Sequence, residues 1–586
     1  MKDQGSQHQF WIVVGLLSVI FHVYLIFSGL TPSLISRPLH LLVALPWIFL
    51  ITHASPTRSI RDGIWFCLAA FACIYLVSYE SALSDQYGFL EGSTQYAIAT
   101  VLIVTVLEMA RRTVGLPLPI VTALFLLYGF FGHLIPGDFG HGGIPVGSFL
   151  GTLIITEGGL WGSLTGVSVS IISIFLIFGA VLNAGEAGRG FMNLAIASSG
   201  HLKGGAAKVS VISSALFGSI SGSASANVAS TGMVTLPTMQ RLGYPKRVAG
   251  AVEAVASTGG QIMPPLMGAG AFIMVELTGI PYTDIILAAS IPALLYFFTV
   301  WIGVNRYADL FDLKPVDISD QPNRFELLIT VGFFAIPFVV LLWLMFSGYT
   351  PQYAAALAAV VAVCLLFSGS DARIDLNRGF ERLGQAMIIS GRQISMIASI
   401  ILCASLIIGV LAMTGLGVKI TSLILSLSGD SLYLTLVLTA IACLFLGMEV
   451  PTTAAYVICV SVAGPALIDQ GLDPLIVHLF VFWYALLSTI TPPVCGGVFI
   501  AAGMVEENWL KVAMSAMAIG IGLYIIPVGM IIHPEIVTLN DFVFALIFTL
   551  KIAAGITVCS YGLISRIRFL ERLGLVFLGL AILFIR

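Results

Sequence analysis

Apolar segments of about 20 residues, almost free of charge, recur along the chain and limit what it can fold into. Such a segment is long enough to cross a bilayer as a helix, whereas irregular backbone is excluded from lipid because its polar groups find no partners there. The first segment, 10–30, has no small-residue cleavage site before Thr31, which is typical of a retained span rather than a signal peptide. We therefore predict an all-α polytopic membrane protein.

The composition agrees, because hydrophobic residues make up 58% of the 586 residues and charged residues only 9%. A soluble domain carries about 25% charged residues, so a soluble enzyme and a disordered protein are excluded. The net charge of −3 offers no basic surface, and no nucleic-acid partner is expected. The sequence contains no nucleophile–base pattern and no phosphate-binding loop, so we predict that the chain is not an enzyme and uses no cofactor.

Lysine and arginine alternate between the connections of the predicted spans. They cluster after every second span, at 58–61, 111–112, 189–208, 241–247, 306–324, 373–392 and 566–572. Because such residues stay on the cytoplasmic side of a membrane, these connections and the N-terminus are predicted to be cytoplasmic.

One polar interruption, 216–227, is too rich in Gly and Ser for an ordinary span. Basic residues precede it at Lys203 and Lys208 and follow it at Arg241, so the chain is expected to enter and leave on one side as a re-entrant hairpin. The next segment, 248–278, is interrupted by a Gly-Gly pair and a Pro-Pro pair. A lipid-exposed helix cannot continue there, so we predict a broken helix whose unwound backbone lines a cavity.

The same pattern recurs about 228 residues later, which indicates an internal repeat. Residues 444–455 match the first hairpin, and Pro492–Pro493 match Pro264–Pro265. Three spans separate the two copies, so the second copy starts on the opposite side of the membrane. The sequence thus predicts inverted repeats with two re-entrant hairpins and two broken helices that meet near the midplane.

The chemistry of such a site follows from its backbone. Half-helix N-termini favour an anionic substrate, while unwound carbonyls offer oxygen ligands to a cation. Neither motif contains Arg or Lys, so a carboxylate is expected to be held by backbone N–H groups, hydroxyls and amides. Carbonyl and hydroxyl oxygens suit Na⁺, whereas a membrane-depth carboxylate such as Glu253 or Glu449 suits H⁺, and the sequence leaves this choice open.

Three stretches carry a family resemblance: 218–237 (GSISGSASANVASTGMVTLP), 253–276 (EAVASTGGQIMPPLMGAGAFIMVE) and 447–456 (GMEVPTTAAY). They resemble the large membrane subunit of tripartite ATP-independent periplasmic (TRAP) transporters, and look most like the TAXI branch, in which the small and large subunits are fused. The resemblance covers nearly the whole chain. One departure is Glu449 with Pro451, where related large subunits outside this branch often carry an Asp-containing hairpin start.

The resemblance implies an elevator-type transporter in the cytoplasmic (inner) membrane of a bacterium or archaeon. It also implies import of small organic acids that a separate periplasmic substrate-binding protein delivers, driven by a Na⁺ or H⁺ gradient. The implied regions are a four-helix small-subunit-like scaffold at 1–115, a large-subunit-like transport unit at 116–540 and additional C-terminal helices at 541–586. Within the transport unit we expect repeat 1 at 167–305, a cytoplasmic amphipathic stretch at 371–392 and repeat 2 at 395–533.

The candidate site residues lie at the two hairpins and the two breaks. The substrate candidates carry hydroxyl or amide groups: Ser223, Asn227, Thr258, Gln261, Thr452, Thr453 and Thr491. The cation-coupling candidates offer hydroxyls, freed carbonyls or a carboxylate: Ser221, Ser225, Gly259, Gly260, Glu253, Glu449, Thr489 and Pro492. Two alternatives stay open, since Glu253 could pair with a basic residue such as Arg247 and Glu449 could lie at the interface outside the site.

Three functions fit parts of this pattern. The leading one is the membrane permease component of a binding-protein-dependent secondary transporter. A stand-alone cation-coupled carboxylate symporter would keep the fold without the binding protein, but the four additional N-terminal spans favour the first function. An intramembrane enzyme is the alternative from another class, and the sequence offers only isolated carboxylates for its chemistry.

Overall fold

The computed structural model describes residues 2–51, 56–316, 322–370, 373–429, 431–447, 450–493 and 495–584. Within these ranges the chain is helical and has no β-strand, apart from an isolated antiparallel bridge between Ser368 and Ile374. The first fourteen α-helices are α1 (Lys2–Phe27), α2 (Ser33–Phe49), α3 (Pro56–Ser78), α4 (Glu80–Ser84), α5 (Gly92–Val114), α6 (Pro117–Phe131), α7 (Val146–Ile155), α8 (Ser163–Val167), α9 (Ser173–Ala184), α10 (Ala187–Ser199), α11 (Gly205–Ser221), α12 (Ala224–Arg241), α13 (Lys246–Gly259) and α14 (Gly268–Thr278). The others are α15 (Tyr282–Phe311), α16 (Arg324–Phe346), α17 (Pro351–Leu366), α18 (Leu376–Thr414), α19 (Leu416–Ser428), α20 (Leu432–Leu446), α21 (Thr452–Asp469), α22 (Pro474–Leu486), α23 (Gly496–Val505), α24 (Trp509–Ile519), α25 (Gly522–Ile532), α26 (Glu535–Thr538), α27 (Phe542–Leu563) and α28 (Phe569–Phe584).

Long apolar helices dominate the molecule. In the described part of the chain, ten helices have at least 18 residues and are apolar enough to cross a bilayer, which confirms the prediction of an all-α polytopic membrane protein. Shorter apolar helices of 10–17 residues accompany them. Because spanning takes about 20 residues, the shortest of these reach only part of the way across. These helices of 10–17 residues include two hairpin arms, α11 and α20, and three half-helices, α14, α22 and α23.

The four spans predicted for the N-terminal region correspond to α1, α2, α3 and α5. A buried ion pair joins two of them, because Arg112 Nη2 of α5 lies 2.7 Å from Asp62 Oδ1 of α3 and its Nη1 donates to Oδ2 at 3.0 Å. The guanidinium also lies over the ring of Phe49 in α2, 4.7 Å from the centroid. Asp62 also accepts a hydrogen bond from Arg61 of its own helix at 3.4 Å, and the contact with Arg112 is the one that links α3 to α5 and, through Phe49, to α2.

The first predicted hairpin and the first broken helix are both present. Helices α11 and α12 pack against each other and are joined at Gly222, whose φ of +62° is a left-handed conformation that glycine adopts without strain. Helices α13 and α14 are separated by a 3-10 turn and the Pro264–Pro265 pair. The interruption therefore falls where Gly and Pro were expected to end the helix.

The same order of elements recurs in the second half of the chain. Helices α20 and α21 form the second hairpin, and α22 and α23 form the second broken helix around Pro492–Pro493. The two units interlock, because α13 packs against α23 while α14 packs against α21 and α22. The first half of each broken helix thus lies beside the second half of the other, as expected of units that run in opposite directions.

Helix α18 takes in most of the amphipathic stretch expected at 371–392. From Leu376 onward this stretch is the first part of one helix of 39 residues, Leu376–Thr414, and its cytoplasmic location stays a prediction. Asp375 caps its start by accepting hydrogen bonds from the backbone N–H groups of Asn377 and Arg378. At 1.5 Å per residue the helix is about 58 Å long, well beyond the ~30 Å hydrocarbon core. Helices α1, α2, α5, α6, α9 and α21 pack along it, and this packing stabilises its polar part as helix.

Candidate functional site

Both hairpin tips, both helix breaks and α18 line a cavity of about 860 Å³, which we call the tip cavity. Most of its polar groups come from the hairpin tips and the breaks, and Arg111 and Thr113 at the end of α5 supply the others. The opposite wall is formed by the turn between α5 and α6 and by Met396, Ile397 and Ile400 of α18. The cavity therefore lies between the N-terminal region and the two repeated units.

Three helices begin at the tip cavity: α12 at Ala224, α21 at Thr452 and α23 at Gly496. The first N–H groups of a helix have no partner within it and carry the positive end of its dipole. Ser223 Oγ accepts one of these bonds, from the backbone N–H of Ala226 at 3.3 Å. Converging N-termini create a positive potential that suits a carboxylate without a lysine or arginine beside it.

Six of the residues predicted from the sequence line the tip cavity: Ser223, Ser225, Gln261, Thr452, Thr453 and Thr489. Gln261 is only 2% exposed, and the described part of the chain gives its side-chain amide no hydrogen-bond partner. This amide lines the cavity with its hydrogen-bonding groups available, so a bound ligand can pair with it.

Two further predicted threonines lie directly behind the tip cavity. The hydroxyl of Thr258 is 2.9 Å from the hydroxyl of Thr489, which joins the first break to the second. The hydroxyl of Thr491 is 2.6 Å from that of Tyr524 in α25. These threonines hold the breaks in position, and Pro492 lies half-buried beside them.

Gly259 and Gly260 allow close packing at the first break. A Cβ atom on Gly260 would lie 2.5 Å from the Cα atom of Gly218 in the first hairpin. A Cβ atom on Gly259 would lie 2.2 Å from a ring carbon of Tyr296 in α15. Neither site has room for a side chain, so the glycines bring the backbone of the hairpin against the break.

Asn227 is fully buried behind the tip of the first hairpin. Its Nδ2 donates to the carbonyl oxygen of Ser214 in α11 at 2.8 Å and to that of Ser257 in α13 at 3.3 Å. The side chain therefore ties the two arms of the hairpin to the first broken helix.

Glu253 of α13 is fully buried in a cluster of hydroxyl groups. The hydroxyls that contact its carboxylate come from α11, α12 and α13: Ser210, Ser214, Thr231, Thr235 and Ser257. Ser210 Oγ donates to Oε2 at 2.7 Å. Among the described residues no ion pair reaches this carboxylate, and Arg247, considered above as its partner, lines a different cavity. A charge held only by hydroxyls is the kind of group that a membrane protein uses to bind a cation or a proton.

Two predicted groups lie outside what the structure describes. They are Glu449 and the side chain of Ser221, whose backbone ends α11. Within the described ranges no group of three or more His, Cys, Asp and Glu residues is arranged to hold a metal ion. A coupling Na⁺ would therefore need the hydroxyl and carbonyl oxygens of the tips and breaks.

Arg111 lines the tip cavity at the end of α5, whereas its place in the sequence indicates only a role in membrane topology. Its side chain is 47% exposed and its Nε lies 2.7 Å from Oε2 of Glu108. The arginine brings a positive charge from the N-terminal region to a site whose own motifs have none. The available signal was its position directly after the fourth predicted span, but only the tertiary structure shows what it faces.

Comparison with known families gives one extended match. Residues 101–543 match the sequence profile described as tripartite ATP-independent periplasmic transporter, DctM component. The match covers more than half of the chain and includes both hairpins and both broken helices.

Individual relatives carry consistent names. A C4-dicarboxylate TRAP transporter large permease protein of Pseudomonas aeruginosa is 27% identical over 338 residues, which are 57% of this chain and 76% of that protein. An isethionate TRAP transporter permease protein, DctMQ, of Oleidesulfovibrio alaskensis is 24% identical over 433 residues, 70% of this chain and 64% of that protein. A 2,3-diketo-L-gulonate TRAP transporter large permease protein of Escherichia coli is 22% identical over 376 residues, 64% of this chain and 86% of that protein.

Proposed function

The chain belongs to the DctM-component family of tripartite ATP-independent periplasmic (TRAP) transporters, and from this premise we propose its substrate class, coupling ion and mechanism. The family consists of transport permeases, which confirms the prediction that the chain is not an enzyme. It is the membrane permease of a secondary transporter. We propose that it imports small organic acids that a periplasmic substrate-binding protein delivers, and that a cation gradient drives the import.

The observation that carries the substrate proposal is the convergence of three helix N-termini on the tip cavity. They offer backbone N–H groups to a carboxylate, while Thr452, Thr453 and Ser225 add hydroxyls and Gln261 adds a free amide. The names of the relatives support an acidic substrate, since they include a C4-dicarboxylate permease and a 2,3-diketo-L-gulonate permease.

The division of labour between regions is part of the proposal. Residues 1–115 act as the small-subunit-like scaffold, 116–540 as the transport unit and 541–586 as additional helices, in the manner of the fused TAXI branch. In an elevator movement the hairpins and broken helices would slide along α18 and the α5–α6 turn. The position of the tip cavity between these two groups of elements supports that mechanism.

We propose H⁺ as the coupling ion and Glu253 as its carrier. The hydroxyl of Thr231 contacts Glu253 and also lies 2.8 Å from the carbonyl oxygen of Asn227, and that of Thr235 contacts Glu253 and lies 3.1 Å from the carbonyl oxygen of Thr231. Each hydroxyl has one proton and cannot donate to both acceptors. A protonated Glu253 can donate to one of these two hydroxyls, so it supplies one of the two missing donors and the cluster favours binding of a single proton.

The charges support the orientation, because the clusters of lysine and arginine favour a cytoplasmic N-terminus. Membership in the TRAP transporter family supports a location in the cytoplasmic (inner) membrane of a bacterium or archaeon. In that orientation the substrate-binding protein docks on the opposite, periplasmic side.

Reconstitution in proteoliposomes tests the function. The purified chain should take up an organic acid only when the binding protein encoded with it is added to the outside. Full uptake without any binding protein would replace the proposal with a stand-alone symporter. Turnover of a lipid or peptide without movement of solute would replace it with an intramembrane enzyme.

A further inference from the structure

A second cavity, of about 1040 Å³, lies away from the hairpin tips between α15, α24 and α25 on one side and the C-terminal pair α27 and α28 on the other. We call it the C-terminal cavity. Helix α28 and most of α27 lie beyond the region that matches the family profile, which ends at residue 543. The cavity thus depends on a part of the chain to which the proposed transport cycle assigns no role.

One end of the C-terminal cavity is basic. Arg247, Lys511 and Arg572 line it together with the hydroxyl-bearing Tyr307 and the amide of Asn508. Arg247 is exposed and has no side-chain partner within the described ranges.

The other two basic residues have weak or neutral partners. Lys511 Nζ lies 3.4 Å from Oε1 of Glu507, and Arg572 donates to the carbonyl oxygens of Gly562 and Leu563 at 3.1 and 2.8 Å. Three cations thus line this end of the cavity and no Asp or Glu is among its described lining residues, which leaves positive charge available to an anion.

The remainder of the cavity is apolar and elongated. Val576, Leu580 and Leu583 of α28 face Ile525 and Val528 of α25 across it. From Arg572 to Leu583 the helix rises about 17 Å, close to the ~15 Å thickness of one hydrocarbon leaflet. A basic end with an apolar channel of leaflet length matches the shape and polarity of a phospholipid.

We propose that the C-terminal cavity binds an anionic phospholipid, with its phosphate at Arg247, Lys511 and Arg572 and an acyl chain along α28. A free phosphate would use only the basic end, and the apolar channel is what favours a lipid. The site lies beside the transport machinery, because Tyr524 lines the cavity and its hydroxyl bonds to Thr491 in the second break. Bound lipid therefore steadies the second break through Tyr524.

Binding is measured on the full chain, purified in detergent and stripped of lipid, by native mass spectrometry and by the shift in melting temperature. The probes are phosphatidylglycerol, phosphatidylcholine and inorganic phosphate. Phosphatidylglycerol should bind and stabilise the protein, while the other two should do neither at the same concentration. Equal binding of phosphatidylcholine, or full competition by inorganic phosphate, would overturn the proposal.

Variants separate the two ends of the site. The exposed double substitution Arg247→Gln with Lys511→Gln should weaken phosphatidylglycerol binding roughly tenfold or more, because each basic residue near an anionic headgroup contributes to affinity. Leu580→Trp should block the channel and abolish binding. Lys314→Gln removes an exposed charge elsewhere and should change nothing. Binding by the double variant equal to that of the unsubstituted protein would refute the site, whatever the outcome of the transport assay.

Discussion

The hydroxyl oxygens of Thr258 and Thr489 lie 2.9 Å apart, so the two helix breaks touch directly below the tip cavity. Thr489 lines that cavity, whereas Thr258 belongs to α13, the helix that carries Glu253. Ser257, the neighbour of Thr258, also contacts Glu253 at 3.4 Å. A ligand that contacts Thr489 is therefore linked to the carboxylate of Glu253 through the Thr489–Thr258 hydroxyl pair and about one turn of α13.

This contact predicts coupled effects of Thr258→Val and Thr489→Val. Each substitution removes one hydroxyl at nearly constant volume. Loss of one hydrogen bond costs about 1 kcal/mol, which changes an equilibrium constant about fivefold. We expect each variant to reduce binding-protein-dependent uptake about fivefold and the double variant to lose little more, because both remove the same bond. Uptake rates in proteoliposomes measure this. Thr549→Val in α27, whose hydroxyl bonds only within its helix in the described structure, is the matched control. Fully additive losses would show that the pair is not coupled.

Glu253→Gln should uncouple transport from the proton gradient. The amide keeps the size of the carboxyl but cannot gain or lose a proton, so uptake driven by an acidic exterior should fall to background. Exchange of labelled for unlabelled substrate, which needs no net proton movement, should persist. The exposed Glu276→Gln serves as the control. Gradient-driven uptake by Glu253→Gln at the normal rate, or uptake that requires Na⁺ and ignores pH, would reject Glu253 as the proton carrier.

The neighbours Arg111 and Arg112 should give opposite phenotypes. Arg111 is half exposed at the tip cavity, so Arg111→Gln should raise KM for uptake roughly three- to fivefold, more at low salt, and leave the melting temperature unchanged. Arg112 bonds to the buried Asp62, which also contacts Arg61, and Arg112→Gln should lower the free energy of unfolding by about 1–3 kcal/mol. Kinetics and thermal unfolding in detergent distinguish the two. A drop in stability for Arg111→Gln with KM unchanged would remove it from the site.

Gln261 and Asn227 provide a second contrast. Gln261 has no hydrogen-bond partner among the described residues, so Gln261→Ala should reduce uptake about tenfold without destabilising the protein. Asn227→Ala leaves the carbonyl oxygens of Ser214 and Ser257 without their donor and should lower the free energy of unfolding by about 1–3 kcal/mol. Melting temperatures and uptake measured on the same preparations decide this. Equal stability losses in both variants would contradict the different environments.

Local chemistry explains why the hairpins and breaks could be predicted from the sequence. Proline removes a backbone donor and glycine permits a left-handed turn, so Pro264–Pro265, Pro492–Pro493 and Gly222 mark the interruptions without knowledge of the rest of the fold. The low charge of the chain likewise sets its class. These properties depend on neighbours in sequence alone.

The residues that the sequence did not reveal act across the fold. Arg111 lines the same cavity as the hairpin tips, and Tyr524 bonds to Thr491, because the fold brings distant segments together. Helix α18 continues through polar sequence because other helices cover it, and Ser390 within that part is fully buried. No local pattern distinguishes a polar side chain that faces water from one that a neighbouring helix will cover.

The wall that α18 presents to the tip cavity has a mechanical consequence. The side chains of Met396, Ile397 and Ile400 offer no hydrogen bond, so a carboxylate beside them takes its polar contacts from the hairpin side and from Arg111 at the end of α5. In the proposed elevator movement, sliding the hairpins past these three side chains breaks no hydrogen bond to them, so the substrate can pass α18 without a polar contact to release. A hydroxyl introduced at one of these three positions would hydrogen-bond to the substrate and slow transport, because that bond would have to break in every transport cycle.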